Sequence, residues 1–370
     1  KNGVKVFHLN IGQPDIETPY SAIEAVKNSN IKVLAYSKSE GDFELRNKIC
    51  DYYSKINIEI NESQVIVTSG ASEALLFTIG SIMDPGHEII IPEPFYANYN
   101  GFSVANGVNI IPIFSSIDNN FELPKIQEFE NLISSNTKAI LICNPNNPTG
   151  YVYSYDEIKT LVEIVKKHNL FLIADEVYRE FTYDNVSHTS IMQFDDIKQH
   201  AIVIDSVSKR YSMCGARIGC IISKNSEFIS TAMKFAQARL SPPTLAQIAS
   251  TAAMDTGEDY FDKVINEYDN RRKTLVEGLK KIPGVKVSEP KGAFYCVVEL
   301  PVDNSEHFAK WLLEEYSLDN ETIMVAPAAG FYSTPNIGQN QVRIAYVLNQ
   351  NDLESCINIL KNGLMEYLKQ

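Results

Sequence analysis

Residues 206–219 read Ser-Val-Ser-Lys-Arg-Tyr-Ser-Met-Cys-Gly-Ala-Arg-Ile-Gly, directly after the apolar run Ala201 to Asp205. A lysine at the C-terminal end of a buried strand faces the ligand side of an open α/β sheet. If the ε-amine of Lys209 is held neutral in a cation-rich pocket of low polarity, it can condense with an aldehyde cofactor to an imine and later move a proton. Ser206, Ser208 and Arg217 then stand near enough to bind a dianionic phosphate, the arginine as a two-pronged donor. Taken alone, the same residues also read as surface charges around a turn.

Four further segments bear on that choice. In Leu172-Ile-Ala-Asp-Glu-Val-Tyr178, Asp175 closes an apolar strand, where a carboxylate is costly without a partner. A protonated pyridine nitrogen is such a partner, and keeping it charged makes the ring an electron sink. Tyr178 could bond the phenolic oxygen of the same ring; a loop or N-cap carboxylate is the other reading of Asp175. Asn144-Pro-Asn-Asn-Pro-Thr-Gly150 is a loop stiffened by two prolines, which hold Asn147 at the cleft, where a side-chain amide can donate to that oxygen. In Thr68-Ser-Gly-Ala-Ser-Glu-Ala74, the backbone N–H groups of Gly70, Ala71 and Ser72 can point at a phosphate near a helix's positive end, with the helix expected to begin at Glu73. Tyr96 could stack on a planar cofactor or belong to the core.

The elements that must position these residues read as α/β. From about residue 65, short β-branched runs alternate with helical patterns, as in parallel strands joined by crossover helices. Seven strands are expected: Val65 to Thr68, Glu88 to Ile91, Val108 to Ile113, Ala139 to Cys143, Leu170 to Ala174, Ala201 to Asp205 and Ile218 to Ile222. Their near-continuous apolar character predicts a mostly parallel sheet covered on both faces, a three-layer αβα large domain. Tyr155 to His168 carries Ile158, Leu161, Val162 and Val165 at helical spacing, with Ser154 and Glu157 as a capping box and positive charge in the last turn. A long helical stretch is expected from about Leu245. At 370 residues two domains are expected: a large one over 36–270, and a smaller α+β one formed by 1–35 with 271–370.

Composition narrows the function classes. Apolar residues make up 44% and charged residues 21%, so there is material for a core. The balance of 33 basic against 46 acidic residues gives a net charge of −13, which argues against nucleic acid and anionic membranes as partners. Cys50, Cys143, Cys214, Cys220, Cys296 and Cys356 are scattered without metal-ligand spacing, and no metal is expected. They are expected to be reduced thiols in a cytoplasmic enzyme. Lys1 to His8 lacks a signal-peptide apolar stretch, and a chain opening on lysine is expected to continue a little further upstream.

In this order, the segments resemble the class I aminotransferases of fold type I, the family that includes aspartate and aromatic amino-acid aminotransferases. The resemblance runs from Asn10-Ile-Gly-Gln-Pro-Asp15 to Val342-Arg-Ile-Ala-Tyr346. It implies pyridoxal 5'-phosphate as cofactor, Lys209 as its Schiff-base lysine, Asp175 as partner of the ring nitrogen, and Tyr178 with Asn147 on the ring oxygen. Ser206, Ser208, Arg217 and the Gly70-Ala71-Ser72 turn match the phosphate cup, and Tyr96 the stacking position. It also implies that Arg343 binds the substrate α-carboxylate, that Gly12 closes backbone over it, and that Tyr36 reaches the phosphate of a neighbouring subunit in a homodimer. The implied reaction is transamination between an aspartate-like or aromatic amino acid and a 2-oxo acid such as 2-oxoglutarate. Ser72 stands where some aspartate-specific relatives carry lysine, and Arg239 is a candidate to supply that charge instead.

Rival readings remain at this stage. A cysteine-S-conjugate β-lyase uses the same residues, and release of pyruvate and ammonia without an acceptor would mark it. A nonenzymatic cofactor-binding regulator is disfavoured because Lys209, Asp175 and Arg343 are all intact. An acyl-transferring relative usually has histidine just before the lysine, where this chain has Val207-Ser208. A dehydrogenase lacks its GxGxxG.

Overall fold

The structure, a computed structural model, describes residues 3–369. In chain order its first part comprises β1 (Lys5–His8), α1 (Tyr20–Lys27), α2 (Phe43–Ser54), β2 (Val65–Thr68), α3 (Gly70–Ile82), β3 (Glu88–Glu93), α4 (Asn98–Ala105), β4 (Asn109–Phe114), α5 (Ile126–Leu132), β5 (Thr137–Cys143), α6 (Tyr155–His168), β6 (Phe171–Asp175), β7 (Ala201–Ser206), the single turn α7 (Val207–Arg210), β8 (Gly219–Ile222) and α8 (Ser226–Arg239). All seven expected strands form one sheet in the order β2-β8-β7-β6-β5-β3-β4, in which β8 alone runs antiparallel to its neighbours.

The period of two along each strand divides the core. Ile66, Ile89, Ile91, Leu141, Ile173, Ile202 and Ile221 face one side, against α3 and α8. Val65, Val67, Ile90, Ile140, Ile142, Leu172 and Ile222 face the other, against α2 and α6. The result is the expected αβα layering. Helix α6 spans the predicted residues, and its cap is reciprocal: Ser154 Oγ accepts from Glu157 N at 3.3 Å while Glu157 Oε2 accepts from Ser154 N at 2.8 Å.

The remaining elements are α9 (Thr244–Ala253), α10 (Glu258–Leu279), β9 (Lys286–Val287), β10 (Tyr295–Glu299), α11 (Ser305–Glu314), β11 (Glu321–Met324), β12 (Ala326–Pro327), β13 (Gln341–Ala345) and α12 (Gln350–Tyr367). Strands β12-β13-β10-β9 make an antiparallel sheet, and β1 pairs in parallel with β11. One expectation is corrected. The helical stretch from Leu245 is two helices, interrupted before α10, whose N-cap is Gly257. The boundary placed between residues 270 and 271 falls inside α10, whose buried face continues past it through Arg271, Leu275 and Leu279. Within 1–35, β1 joins the smaller sheet, whereas α1 lies against α9, with Ser21 Oγ donating to Ala252 O at 3.2 Å. Among the described residues no helix is long and apolar enough to cross a membrane.

This topology brings the C-terminal ends of β2, β3, β5, β6 and β7 to one edge of the sheet, beside the start of β8. Gly219 allows the approach. A Cβ there would lie 2.6 Å from Gly70 C, 2.7 Å from Ala71 N and 2.9 Å from Asp205 O, all backbone atoms unable to yield without moving a strand. Gly219→Ala is therefore expected to lower the unfolding free energy by about 1–3 kcal/mol, measured by urea denaturation; wild-type stability would contradict this packing.

Candidate active site

Strand β7 delivers Lys209 through a pinned turn. Asp205, 2% exposed, accepts from Arg210 Nη2 at 2.7 Å, Tyr53 Oη at 3.1 Å and Ser206 N at 2.7 Å, which fixes the strand end and the first residues of α7. Lys209 then projects into a cleft of about 400 Å³ between the large sheet and the smaller unit. Its Nζ donates to Gly12 O at 2.8 Å, with Cys214 Sγ 3.7 Å away.

Strand β6 places Asp175 in the same cleft. The carboxyl is 5% exposed; Tyr99 Oη donates to Oδ2 at 2.8 Å and Val177 N to Oδ1 at 3.4 Å. Burial pushes the group up to about 6 against those two bonds, which pull it down. Among the described residues Asp175 has no ion-pair partner, so a buried acceptor faces the cleft with only the Lys209 amine, beyond contact, to oppose its charge.

The loop after β5 supplies Asn147 beside Asp175, and β13 of the smaller sheet supplies Arg343. Arg343, 8% exposed, donates through Nη1 to Asn147 Oδ1 at 3.1 Å and through Nη2 to Asn10 O at 2.6 Å. The first contact engages the amide oxygen of Asn147 and leaves its nitrogen as the group able to donate elsewhere. Arg343 Nε and Asn10 Oδ1 are buried and unpartnered. Tyr178 Oη lies 3.0 Å from Tyr295 Oη, whose ring lies 4.6 Å from the Arg343 guanidinium carbon.

At the far end, α3 begins at Gly70, three residues before the expected Glu73. Gly70, Ala71 and Ser72 are thus its first turn, whose N–H groups lack intrahelical partners. Glu73 Oε2 accepts from Ser69 N at 2.7 Å, closing the helix start. Ser206 Oγ lies 2.8 Å from Ser208 Oγ, and Arg217 lies exposed at the mouth with Nη1 on Cys214 O at 3.0 Å. A Cβ on Gly70 would come 2.2 Å from Arg217 Nη2, so glycine lets the arginine lie across the helix start.

The cleft thus gathers Gly12, Ala71, Ser72, Tyr96, Asn147, Asp175, Tyr178, Ser206, Ser208, Lys209, Arg217 and Arg343. Gly70 sits just behind Arg217. Tyr36 is 80% exposed and outside the cleft. Arg239 is also outside it, bound to Glu73 Oε2 at 2.7 Å and Ser39 O at 2.9 Å, and so is unavailable as a free cation for substrate. The sequence reading missed Asn10, Tyr99 and Tyr295. Tyr99 lies three residues after Tyr96, and that one-turn spacing is the signal that could have found it; nothing local marks Tyr295. Among the described residues no cluster of acidic, histidine or cysteine side chains could hold a metal ion.

The residues fit one cofactor. Asp175 lacks a cationic donor, a helix start with two serines and an arginine suits a phosphate, and Lys209 suits an aldehyde. This fold and site define a pyridoxal-phosphate transferase of fold type I. The profile of the family "Aminotransferase class I and II" matches residues 4–360. An aspartate aminotransferase of Pyrococcus horikoshii is 32% identical over 97% of this chain and 90% of its own. Among solved structures, the aromatic aminotransferase of P. horikoshii superposes with a TM-score of 0.90 at 29% identity, covering 98% of this chain and 96% of its own. The alanine aminotransferase of Pyrococcus furiosus gives 0.90 at 28% identity, covering 98% and 93%. The chain belongs to the class I and II aminotransferases, and it is a pyridoxal-phosphate-dependent transaminase.

The raised Asp175 has a measurable consequence without cofactor. Its folded value, about 6, exceeds the ordinary 3.8, so the native state holds the proton more tightly and loses stability as pH rises between those values. Asp175→Asn removes this dependence. In the cofactor-free protein, the unfolding free energy of the variant minus that of wild type is expected to grow by up to about 3 kcal/mol from pH 4 to pH 7; a pH-independent difference would contradict the burial argument.

Proposed function

We propose that Lys209, Asp175 and Arg343 carry the transamination, each at one corner of the cleft. The observation that carries this reading is that an amine, a cation-less buried carboxyl and an arginine with an unpartnered Nε face one space. Pyridoxal phosphate, when bound, supplies an aldehyde for a covalent link and a ring that withdraws electrons from the substrate Cα. Asp175 keeps the ring nitrogen protonated. Tyr178 and the amide nitrogen of Asn147 donate to the ring oxygen, and Tyr96 covers the ring face. The first turn of α3, Ser206, Ser208 and Arg217 hold the phosphate. Arg343 binds the α-carboxylate beneath Gly12 and so orients the Cα–H bond toward Lys209. The Lys209 amine would be the group placed to take up the Cα proton and to give it back.

The cleft's cations are Lys209, Arg217 and Arg343, and this reading engages all three. A substrate side chain meets Ile11, Leu75 and Tyr96, with Gln13 and Ser72 as neutral donors. We therefore assign the donor as an amino acid with an aromatic or aliphatic side chain. The aspartate aminotransferases among the relatives favour a second reading, in which a partner subunit adds a cation for a dicarboxylate. A homodimer is supported by the exposed apolar side chains of Tyr20, Val33, Leu34, Tyr36 and Leu240, of which Tyr36 would reach the partner's phosphate. Six free cysteines and a net charge of −13 support a cytoplasmic setting.

Half-reactions followed through the cofactor spectrum test both parts. Lys209→Ala is expected to lose turnover and the coloured lysine-bound cofactor together. Arg343→Gln is expected to raise KM for every amino acid by about tenfold or more, the loss of a charged, two-pronged contact. Phenylalanine or leucine is expected to react faster than aspartate at equal concentration; the reverse order would overturn the assigned donor class, and full activity in Lys209→Ala would overturn the mechanism.

A further inference from the structure

Tyr295 is a small-unit residue that reaches the catalytic groups of the large sheet. Its place on β10 is set by the pairing of that strand with β13, which puts Tyr295 opposite Ala345 and Arg343 opposite Val297, two residues along. The side chain is 2% exposed and touches three residues of the cleft at once. Its hydroxyl lies 3.0 Å from Tyr178 Oη and 3.4 Å from Gly12 O, the carbonyl that also accepts from Lys209. Its ring stands edge-to-face on Tyr178, with centroids 5.6 Å apart at 85°. The Arg343 guanidinium carbon lies 4.6 Å from the ring centroid. Gly12 leaves room for this: a Cβ there would fall 1.7 Å from Tyr295 Oη.

We propose that Tyr295 is a positioning residue that sets both the direction of the Tyr178 hydroxyl proton and the height of the Arg343 guanidinium. The inference rests on the roles assigned above to Lys209, Tyr178 and Arg343, and adds a residue to them. A tyrosine hydroxyl carries one proton. Of the two acceptors within reach, Tyr178 Oη is the nearer. Donation from Tyr295 to Tyr178 leaves the Tyr178 proton free to point into the cleft, toward the ring oxygen. The ring of Tyr295 independently supports Arg343 through its electron-rich face. The hydroxyl and the ring therefore do separable work: the former acts on the cofactor, the latter on the substrate carboxylate.

Tyr295→Phe and Tyr295→Leu separate the two. A hydrogen bond donated to the ring oxygen spreads its charge and loosens its hold on the proton shared with the Lys209 nitrogen. Donation from Tyr295 polarises the Tyr178 hydroxyl and strengthens the bond it makes in turn, so losing that donation should raise the midpoint pH at which the visible absorbance of the lysine-bound cofactor titrates. Tyr295→Phe is expected to raise that midpoint by about half a unit or more, with KM within about twofold of wild type. Tyr295→Leu is expected to raise KM about fivefold or more in addition, which phenylalanine at the same position restores. A wild-type midpoint in Tyr295→Phe overturns the claim for the hydroxyl, and this variant changes one atom, so it decides the matter even if leucine prevents folding. Equal KM in the two variants overturns the claim for the ring. A wild-type enzyme without a titrating band, or a Tyr178→Phe variant with an unshifted midpoint, overturns the earlier assignment of Lys209 or Tyr178, a result distinct from both.

Discussion

A carboxyl group held out of water at the end of a central strand, with a tyrosine but no cation to satisfy it, is the constraint around which this molecule is arranged. Asp175 tolerates that position because β6 lies between β5 and β7, which carry the asparagine loop and the lysine turn. Tyr99 reaches it from α4. The cost of burial is local, and the partner that would relieve it comes from outside the chain. Lys209, by contrast, needs no buried charge beside it, since its amine already rests on a backbone carbonyl.

The order of the strands explains why so many distant segments meet. Five strand ends and one strand start share an edge, so loops that are far apart in sequence become neighbours once the sheet forms. The buried Asp205–Arg210 pair secures the turn that carries the lysine, and Gly219 admits the helix start that faces it. Arg239 shows the same economy of charge: its ion pair with Glu73 steadies the beginning of α3 from behind.

Much of this was legible from residue order, and the remainder was not for identifiable reasons. The seven strands of the large sheet are apolar on both faces and bounded by turn residues, so pattern alone located them within two residues at either end. β1 and β11, four residues each with exposed or partly exposed ends, carry too little period to be seen. The start of α3 was misplaced because a glycine with φ of 77° reads as turn, although it is the first helical residue. Asp175, Ser206, Lys209 and Asn147, which the structure places in the cleft, were legible because each stands at or just beyond the end of a buried strand. Asn10 and Tyr295 were missed because their roles arise from contacts across 333 and 117 residues of separation, which no local pattern encodes, whereas Tyr99, whose contact spans 76, left only its one-turn spacing from Tyr96 as a signal.

The first strand also has a mechanical meaning. Leu9 donates to Met324 O at 2.9 Å and accepts from Ala345 N at 2.8 Å, Asp15 is held by Arg271 at 2.6 Å, and Thr18 donates to Ser212 O at 2.9 Å. The segment from Leu9 to Thr18 is thus a drawstring, threaded from the smaller sheet across the amine of Lys209 to the larger body. Its knots lie on both bodies, so the Gly12 carbonyl on which the Lys209 amine rests is held in place by the smaller sheet and the larger one together.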